Sequence, residues 1–275
     1  MPLASAKGIM RRSYATGDPA EIMFVLSLQS GSNGNCIYVE TPRTRLLFDA
    51  GISGVQAQRR LAAFGRDIRR VDALIISHDH SDHIRSAGIF HRKFGLPVYV
   101  SEPTLRLAQR FRPLGPMKAM TFVSGETLQF GDLGIETVRT PHDAADGVAF
   151  VVTSPGARLG ILTDLGHPFE ALSALLSGLD AVLMESNFDP EMLANGPYPA
   201  FLQTRIRGPR GHLSNPESAR LLRETGTRLK WACLGHLSEQ NNRPELALDT
   251  HQALARGDYA LHVASRYRPT GPFEI

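Results

Sequence analysis

The sequence feature that most constrains the fold is a cluster of metal-binding residue types directly after a short apolar run. The run is Leu74-Ile75-Ile76, and the cluster that follows it is Ser77-His78-Asp79-His80-Ser81-Asp82-His83. Short runs of branched apolar residues are typical of buried β-strands, and the apolar spacing over 84–94 predicts a helix after the cluster. Imidazole and carboxylate groups together suit Zn²⁺, and also Mn²⁺ or iron. The cluster therefore predicts a metal site between a buried strand and a helix.

Further ligands are expected elsewhere in the chain, because two ions that share a bridge need about seven ligands. His142, Asp164 and His236 each follow a predicted strand. A single histidine after a strand is more often structural. The order of these three residues and their placement at strand ends favour a shared metal centre.

The pattern His-x-His-x-Asp-His after a buried strand, with the later residues in order, resembles the signature of the metallo-β-lactamase superfamily. The resemblance covers roughly residues 24–250. It implies that one divalent ion is bound by His78, His80 and His142. It implies a second ion bound by Asp82, His83 and His236, with Asp164 bridging both.

The order of the predicted elements favours mixed β-sheets flanked by helices, since strands and helices alternate and several strand pairs read as hairpins. With the resemblance, this order predicts an α/β (α+β) chain folded as a four-layer αββα sandwich. We expect residues 22–275 to form this single domain. Residues 1–21 show no periodic pattern and are predicted to be a disordered tail, or an upstream start-site extension before Met23. Residues 186–210 are rich in Pro, Gly and Asn and are predicted to be irregular.

The predicted chemistry is hydrolysis with two divalent ions, Zn²⁺ being favoured and Mn²⁺ the alternative. Two ions lower the pKa of a bridging water and neutralise charge on the attacked group, so a metal-bridging hydroxide is the expected nucleophile. Asp82 is expected to accept a proton as well as to bind metal. Asp49 ends a predicted strand and is expected to hydrogen-bond the ligand loop. The alternative for Asp49 is an ordinary turn-forming aspartate.

Two later segments favour nucleic acid as the substrate. Glu185 precedes Ser186 in a pair that resembles the Glu-Ser element of nucleases in the superfamily. The segment Arg210-Gly211-His212-Leu213-Ser214 resembles their phosphate-binding histidine motif. It precedes a predicted helix, and a helix N-terminus beside a histidine and an arginine favours phosphate. We therefore expect four residues to contact substrate phosphate: Glu185, Arg210, His212 and Ser214. For His212, a structural or helix-capping role is the alternative.

Positive charge adds modest support for a nucleic acid partner. Arg205 and Arg207 lie near Tyr198 and Phe201, and such a segment can bind a strand by charge and stacking. A run of charges is, however, usually a solvated face. The net charge of +3 and the pI near 9.0 permit a polyanionic partner without demanding one.

Larger processing nucleases of the superfamily carry an inserted cap domain between the Glu-Ser and histidine motifs. Here only 25 residues run from Ser186 to Arg210 inclusive, so that cap is absent. The chain most resembles the compact YycJ-like family. The motifs that carry this resemblance are Ser30-Gly31-Ser32-Asn33-Gly34-Asn35-Cys36, Pro141-His142-Asp143-Ala144-Ala145-Asp146, Thr163-Asp164-Leu165-Gly166-His167 and Gly235-His236-Leu237-Ser238-Glu239-Gln240-Asn241-Asn242. The resemblance implies a DNA exonuclease that digests in the 5′-to-3′ direction, with DNA expected in preference to RNA.

Two other functions stay open on the residues alone. One is a small-molecule hydrolase, either a thioesterase of the glyoxalase II type or a lactonase. The other is a non-enzymatic metal-binding or nucleic-acid-binding module, against which the complete ligand set argues.

Cysteine usage and hydropathy bear on where the protein works. Cys36 and Cys233 are too few for a disulfide framework, and we find no apolar stretch of about 18 residues. We therefore expect a cytoplasmic protein with no membrane partner. The sequence leaves the oligomeric state open.

Overall fold

The computed structural model describes residues 22–111, 114–254 and 257–275. The tail predicted over residues 1–21 lies outside these ranges. Within them, fourteen β-strands form two sheets of seven strands each, and nine α-helices accompany the sheets. None of the helices in the described ranges is both long enough and apolar enough to cross a membrane.

The elements are named in chain order. The strands are β1 (Phe24–Gln29), β2 (Cys36–Glu40), β3 (Arg45–Phe48), β4 (Ala73–Ile75), β5 (Val98–Ser101), β6 (Ala119–Phe122), β7 (Thr127–Phe130), β8 (Leu133–Arg139), β9 (Val148–Ser154), β10 (Ala157–Leu162), β11 (Ala181–Glu185), β12 (Trp231–Gly235), β13 (Ala260–Val263) and β14 (Thr270–Glu274). The helices are α1 (Gly54–Ala62), α2 (Ser81–Ile84), α3 (Ala87–Phe94), α4 (Glu102–Phe111), α5 (Glu170–Ser177), α6 (Pro190–Asn195), α7 (Ala200–Arg207), α8 (Asn215–Thr225) and α9 (Pro244–Leu254).

Each sheet combines an antiparallel part with a parallel part. The first sheet has the order β14-β1-β2-β3-β4-β5-β6, and the second has the order β13-β12-β11-β10-β9-β8-β7. Strands β3 to β6 are parallel to one another, and so are β10 to β13. Pairing of β14 with β1 joins the two ends of the described chain. This pairing supports our proposal that residues 22–275 form one domain.

The core lies in layers on both faces of each sheet. Leu46 and Phe48 of β3 pack between the two sheets, where the ring centroids of Phe48 and Phe150 are 5.0 Å apart. Leu47, which lies between them in the strand, faces the other way and packs with Leu61 of α1. A separate buried cluster fills the space between the second sheet and α5, α8 and α9. The layers run helix, sheet, sheet, helix, which confirms the predicted αββα sandwich.

The helix predicted over residues 84–94 is divided in two by contacts with the turn after β3. The backbone N–H of Ser86 donates to the Ala50 carbonyl at 3.0 Å, and the Ala50 N–H donates to the His83 carbonyl at 2.6 Å. These bonds replace the helical bonds between α2 and α3. They also fix the histidine-rich loop to the end of a neighbouring strand, which local apolar spacing does not reveal.

The prediction that residues 186–210 are irregular is wrong for much of this segment, because it includes the helices α6 and α7. Asp189 caps α6 by accepting backbone hydrogen bonds, and Leu193 and Ile206 are buried together against Phe188. A small satellite core therefore stabilises these short helices. The helices are too short to show a long apolar period in the sequence. Strands β6, β13 and β14 are also missing from the prediction. Each is an edge strand with few buried residues, so its alternation is weak.

Gly51 marks the closest approach between the turn after β3 and the histidine-rich loop. A Cβ atom at this position would lie 1.7 Å from the Asp82 carbonyl oxygen and 2.5 Å from the Asn35 backbone nitrogen. We expect Gly51→Ala to lower the free energy of unfolding by about 2–4 kcal/mol, because backbone atoms must move to make room. Urea unfolding followed by circular dichroism measures the change.

Gly134→Ala is the matched control. A Cβ atom there meets the Gln129 side chain at an ordinary 3.5 Å. Its effect is expected to stay within about 0.5 kcal/mol. Equal stability of the two variants would contradict the close approach at Gly51.

Candidate metal centre and substrate cleft

The seven predicted metal ligands converge at the edge where parallel strands of both sheets end. The ligand atoms of His78, His80 and His142 lie within 4.8 Å of one another. The same holds for Asp82, His83 and His236. The structure therefore brings together the two triplets that the sequence predicts, from loops separated by more than half the chain.

Asp164 lies between these two triplets. Its Oδ1 is 3.4 Å from His142 Nε2, and its Oδ2 is 3.1 Å from His83 Nε2 and 3.6 Å from His236 Nε2. One carboxylate thus faces both histidine groups, each with a different oxygen. This is the arrangement that a bridging ligand requires.

Two buried atoms of the centre lack hydrogen-bond partners among the described residues. They are His78 Nε2 and Asp164 Oδ2; the latter lies 3.1 Å from His83 Nε2 but without hydrogen-bond geometry. An unsatisfied buried polar atom costs about 1–3 kcal/mol, and a charged one costs more. Imidazole nitrogen and carboxylate oxygen are ligand types that Zn²⁺ accepts. The residues present therefore fit a pair of divalent ions, which would satisfy both atoms.

Three residues of the centre adopt left-handed backbone conformations that are uncommon for residues other than glycine. Asp49, Asp164 and His236 have φ values of 64°, 57° and 54°. They follow β3, β10 and β12, so the strain falls where the strands end. Such conformations persist when surrounding contacts demand them. Here they turn each side chain into the centre immediately after its strand.

Asp49 lies behind the ligand loop and contacts three of its groups. Its Oδ1 accepts from the Ser77 backbone N–H at 2.8 Å, and its Oδ2 lies 2.6 Å from His83 Nδ1. The Ser77 hydroxyl also contacts both carboxylate oxygens at 2.9 Å. Because Nδ1 of His83 is hydrogen-bonded to Asp49, the Nε2 nitrogen of His83 faces Asp164 and Asp82.

His142 is oriented by the backbone of the later histidine motif. Its Nδ1 lies 2.8 Å from the Gly211 carbonyl, to which it donates, and its Nε2 lies 3.2 Å from His80 Nδ1. The metal triplet is thereby connected to the segment that carries His212.

Burial and charge shift the pKa values of the histidines in opposite directions. Burial lowers the pKa of His78, and the neighbouring His83 lowers it further, so His78 is neutral at neutral pH. Burial also lowers the pKa of His83, but the carboxylates of Asp164 and Asp49 outweigh burial and hold that pKa well above its usual value. The centre therefore favours a positive charge, which a divalent cation supplies.

A cleft of about 240 Å³ opens above the centre. Its lining residues are Ser32, His80, Ser81, Asp82, Asp164, Arg205, His212 and His236. The lining is polar, and it includes side chains of both triplets as well as the bridging aspartate. A substrate in this cleft would lie directly over the metal ligands.

Of the four predicted phosphate contacts, only His212 lines the cleft. Glu185 is completely buried beneath it, with Oε1 2.8 Å from His212 Nδ1 and Oε2 accepting from the Leu165 backbone N–H at 3.0 Å. Burial raises the pKa of Glu185, but the hydrogen bond and charge of His212 and the hydrogen bond with His236 together outweigh burial, and the pKa falls to about 2. The predicted substrate contact of Glu185 is therefore corrected to a contact with His212.

Ser214 and Arg210 also differ from the prediction. Ser214 is buried, and its hydroxyl forms a capping box with Glu217 at the start of α8, as its spacing indicates. The capping bonds use the hydroxyl that would otherwise bind phosphate. The Arg210 side chain is exposed away from the cleft lining, and its carbonyl accepts from the Asp143 backbone N–H at 3.0 Å.

Sequence reasoning did not assign roles to two amides and one aspartate near the ligands. Asn35 Nδ2 lies 3.0 Å from His83 Nε2, and Asn187 Nδ2 donates to the His236 carbonyl at 2.7 Å. Asp143 Oδ1 lies 3.5 Å from His142 Nε2. Two signals point to them in the sequence: Asp143 lies beside a predicted ligand, and Asn35 lies in a segment that carries the family resemblance. Asn187 reaches the centre only through the fold.

Cys233 is three residues before His236, but it is buried in β12, and burial raises its pKa to about 12. It therefore lies outside the metal centre as an apolar core residue.

Comparison with known proteins assigns the family. A family model described as a β-lactamase superfamily domain matches residues 44–234. The chain belongs to the metallo-β-lactamase superfamily. Within the superfamily, it is 37% identical over 259 residues to exodeoxyribonuclease WalJ of Streptococcus pneumoniae, covering 92% of this chain and 96% of that protein. It is 33% identical over 248 residues to exodeoxyribonuclease YycJ of Bacillus anthracis, covering 89% and 94%.

A solved structure supports the fold. The metallo-β-lactamase fold protein YhfI from Bacillus subtilis aligns with a TM-score of 0.69 at 17% identity, covering 93% of this chain and 100% of that chain. The predicted membership of the YycJ-like family is thus confirmed by near full-length similarity, and the sandwich is confirmed by structural similarity.

The contacts of Asp49 generate a prediction about metal affinity. Asp49→Asn keeps the side-chain size but removes the charge that orients His83, so the affinity for Zn²⁺ should fall about 10- to 100-fold. Competition with a chromogenic chelator measures the affinity. Asp249→Asn removes the same charge from an exposed position on α9 and is the control. Wild-type affinity in Asp49→Asn would show that Asp49 does not support the ligand loop.

Proposed function

We propose that this protein is an exodeoxyribonuclease that uses two divalent metal ions. The observation that carries the proposal is the Asp164 carboxylate, whose two oxygens face different histidine groups at the floor of an open cleft. The names and near full-length similarity of WalJ and YycJ support DNA as the substrate. We propose Zn²⁺ as the metal, with Mn²⁺ as the alternative, and digestion from the 5′ end.

Seven residues would hold the ions. One ion would be held by His78, His80 and His142, the other by Asp82, His83 and His236, and Asp164 would contact both. When bound, such ions lower the pKa of water and neutralise charge on the attacked phosphate. The net reaction adds water to the phosphorus and breaks one P–O bond, and the leaving oxygen takes up a proton.

Asp82 and His212 are the ionisable side chains proposed to serve the reaction beside metal binding. Burial raises the pKa of Asp82, but His83 and His236 outweigh burial and hold it well below its usual value. Asp82 is therefore an ionised carboxylate, the form that binds metal. Its proposed second role, accepting a proton, rests on its place in the cleft lining. His212 is held through Nδ1 by Glu185, which leaves Nε2 to contact a phosphate oxygen.

The cleft lining argues against the small-molecule alternatives. A thioesterase or lactonase of the same fold would need an apolar or thiol-binding pocket beside the ions. Here serine hydroxyls, Arg205 and His212 line the cleft instead. Two free, buried cysteines support a cytoplasmic location, where thiols stay reduced. Fractionation of cells that express the tagged protein tests this location.

Degradation of end-labelled oligonucleotides tests the function. Protein loaded with Zn²⁺ or Mn²⁺ is expected to shorten DNA labelled at its 3′ end stepwise and to release the label of 5′-labelled DNA as a mononucleotide. Matched RNA, a thioester and a lactone are expected to react more slowly. His80→Ala should reduce the rate at least about 100-fold, because one metal triplet loses a ligand.

His262→Gln is the control, since His262 of β13 in the second sheet lies against Phe273 of β14 in the first sheet, away from the cleft. It should keep the wild-type rate. Asp82→Asn tests the second role of that residue, with loss of rate expected at full metal content. Metal-loaded wild-type protein that hydrolyses the thioester or lactone but no phosphodiester would contradict the proposal.

A further inference from the structure

We propose that Arg205 recognises the substrate phosphate in this cleft and that Asp143 is its positioning residue. The inference rests on the proposed function and names the groups by which the site selects a phosphodiester anion over a neutral ester. Phosphate recognition is thereby assigned to Arg205 and not to Arg210, the arginine that the sequence predicts.

Arg205 reaches the cleft from α7. It lines the cleft together with Asp164 and His212, and 46% of its side chain is exposed. The metal ligands around it are mostly buried, so its guanidinium lies at the solvent side of the centre. An anion that enters the cleft from solvent therefore meets this charge on its way to the ligands.

Asp143 holds the guanidinium in one plane. Arg205 Nε donates to Asp143 Oδ2 at 2.5 Å, and Nη2 donates to Oδ1 at 2.9 Å. Two parallel bonds of this kind fix the orientation of an arginine more strictly than one. A guanidinium carries five N–H groups, and the described residues provide no further hydrogen bond to this one. Three donors therefore stay free for phosphate oxygens.

Backbone contacts set the distance between α7 and the metal centre. A Cβ atom on Gly211 would lie 2.1 Å from the Ile206 carbonyl oxygen and 2.4 Å from that of Arg205. Only a glycine lets the end of α7 pack this closely, and the Gly211 carbonyl accepts from His142 Nδ1. The same turn thus orients a metal ligand and places Arg205. The short segment before His212 therefore serves both the metal centre and the placement of Arg205.

Arg207 provides a comparison within the same helix. It is exposed, and its Nη2 donates to Gln203 Oε1 at 2.9 Å on α7 itself. It does not line the cleft. Replacing either arginine with alanine removes the same charge from the same helix, so a difference between the two variants reports position alone.

Steady-state kinetics on single-stranded DNA test the role of Arg205. Arg205→Ala is expected to lower kcat/KM about 10- to 100-fold, mainly through KM, because a charged hydrogen bond to the phosphate is lost. Metal content and the melting temperature should stay at wild-type values. The kcat/KM of Arg205→Lys should fall between those of the wild type and Arg205→Ala, since lysine keeps the charge but not the planar guanidinium. Arg207→Ala should stay within about 2-fold, and equal losses in the two alanine variants would overturn the proposal.

Calorimetric titration with inorganic phosphate separates this inference from the proposed function. Metal-loaded wild-type protein is expected to bind phosphate at least about 10-fold more tightly than Arg205→Ala. If wild-type protein cleaved no nucleic acid, the nuclease proposal would fail, and this difference would still support anion recognition by Arg205. Equal phosphate affinity in the two proteins, or no binding by either, would overturn it.

A double-mutant cycle tests the positioning role of Asp143. Asp143→Asn should weaken phosphate binding in the same direction as Arg205→Ala, with the metal content unchanged. In the Arg205→Ala background, Asp143→Asn should cause no further loss, because Asp143 acts through the arginine. Additive losses would show that Asp143 acts on the metal ligands instead, and would overturn its assignment as a positioning residue.

Discussion

The carboxylate of Asp164 is buried among histidines from three different loops, with Oδ1 toward His142 and Oδ2 toward His83 and His236. Burial raises its pKa, but His236 and His83 outweigh burial and hold the pKa well below its usual value, so the group stays charged. A buried ion costs several kcal/mol unless opposite charge surrounds it. The surrounding histidines supply part of this positive charge, and neighbouring groups hold those histidines in place. Two divalent cations would supply the rest.

The sandwich brings the charged groups together through the arrangement of its strands. Parallel strands of both sheets end at one edge, where left-handed turns at Asp49, Asp164 and His236 direct side chains inward. On the substrate side, two further carboxylates each hold a group that faces the cleft. Glu185 holds His212, and Asp143 holds Arg205. Helix α7 places Arg205 in the cleft lining, and Leu193 of α6 packs with Ile206 of α7, in a chain that lacks a large cap.

The sequence predicts which seven side chains meet, because each lies in a segment that follows a recognisable strand, and these strand ends of the two sheets meet in space. It predicts the substrate side poorly for a physical reason. Glu185 and Ser214 lie in the expected motifs, but their side chains are used by His212 and by the α8 cap. The pairing of Arg205 with Asp143 spans 62 residues. It depends on how α7 packs, and no local pattern records that packing.

Metal stoichiometry tests the central claim most directly. Metal-free protein titrated with Zn²⁺ and analysed by mass spectrometry under native conditions is expected to bind two ions per chain. Asp164→Asn should weaken both binding events together, because the same carboxylate faces both triplets. A single bound ion in the wild-type protein, or two ions bound with unchanged affinity in Asp164→Asn, would contradict a centre bridged by this residue.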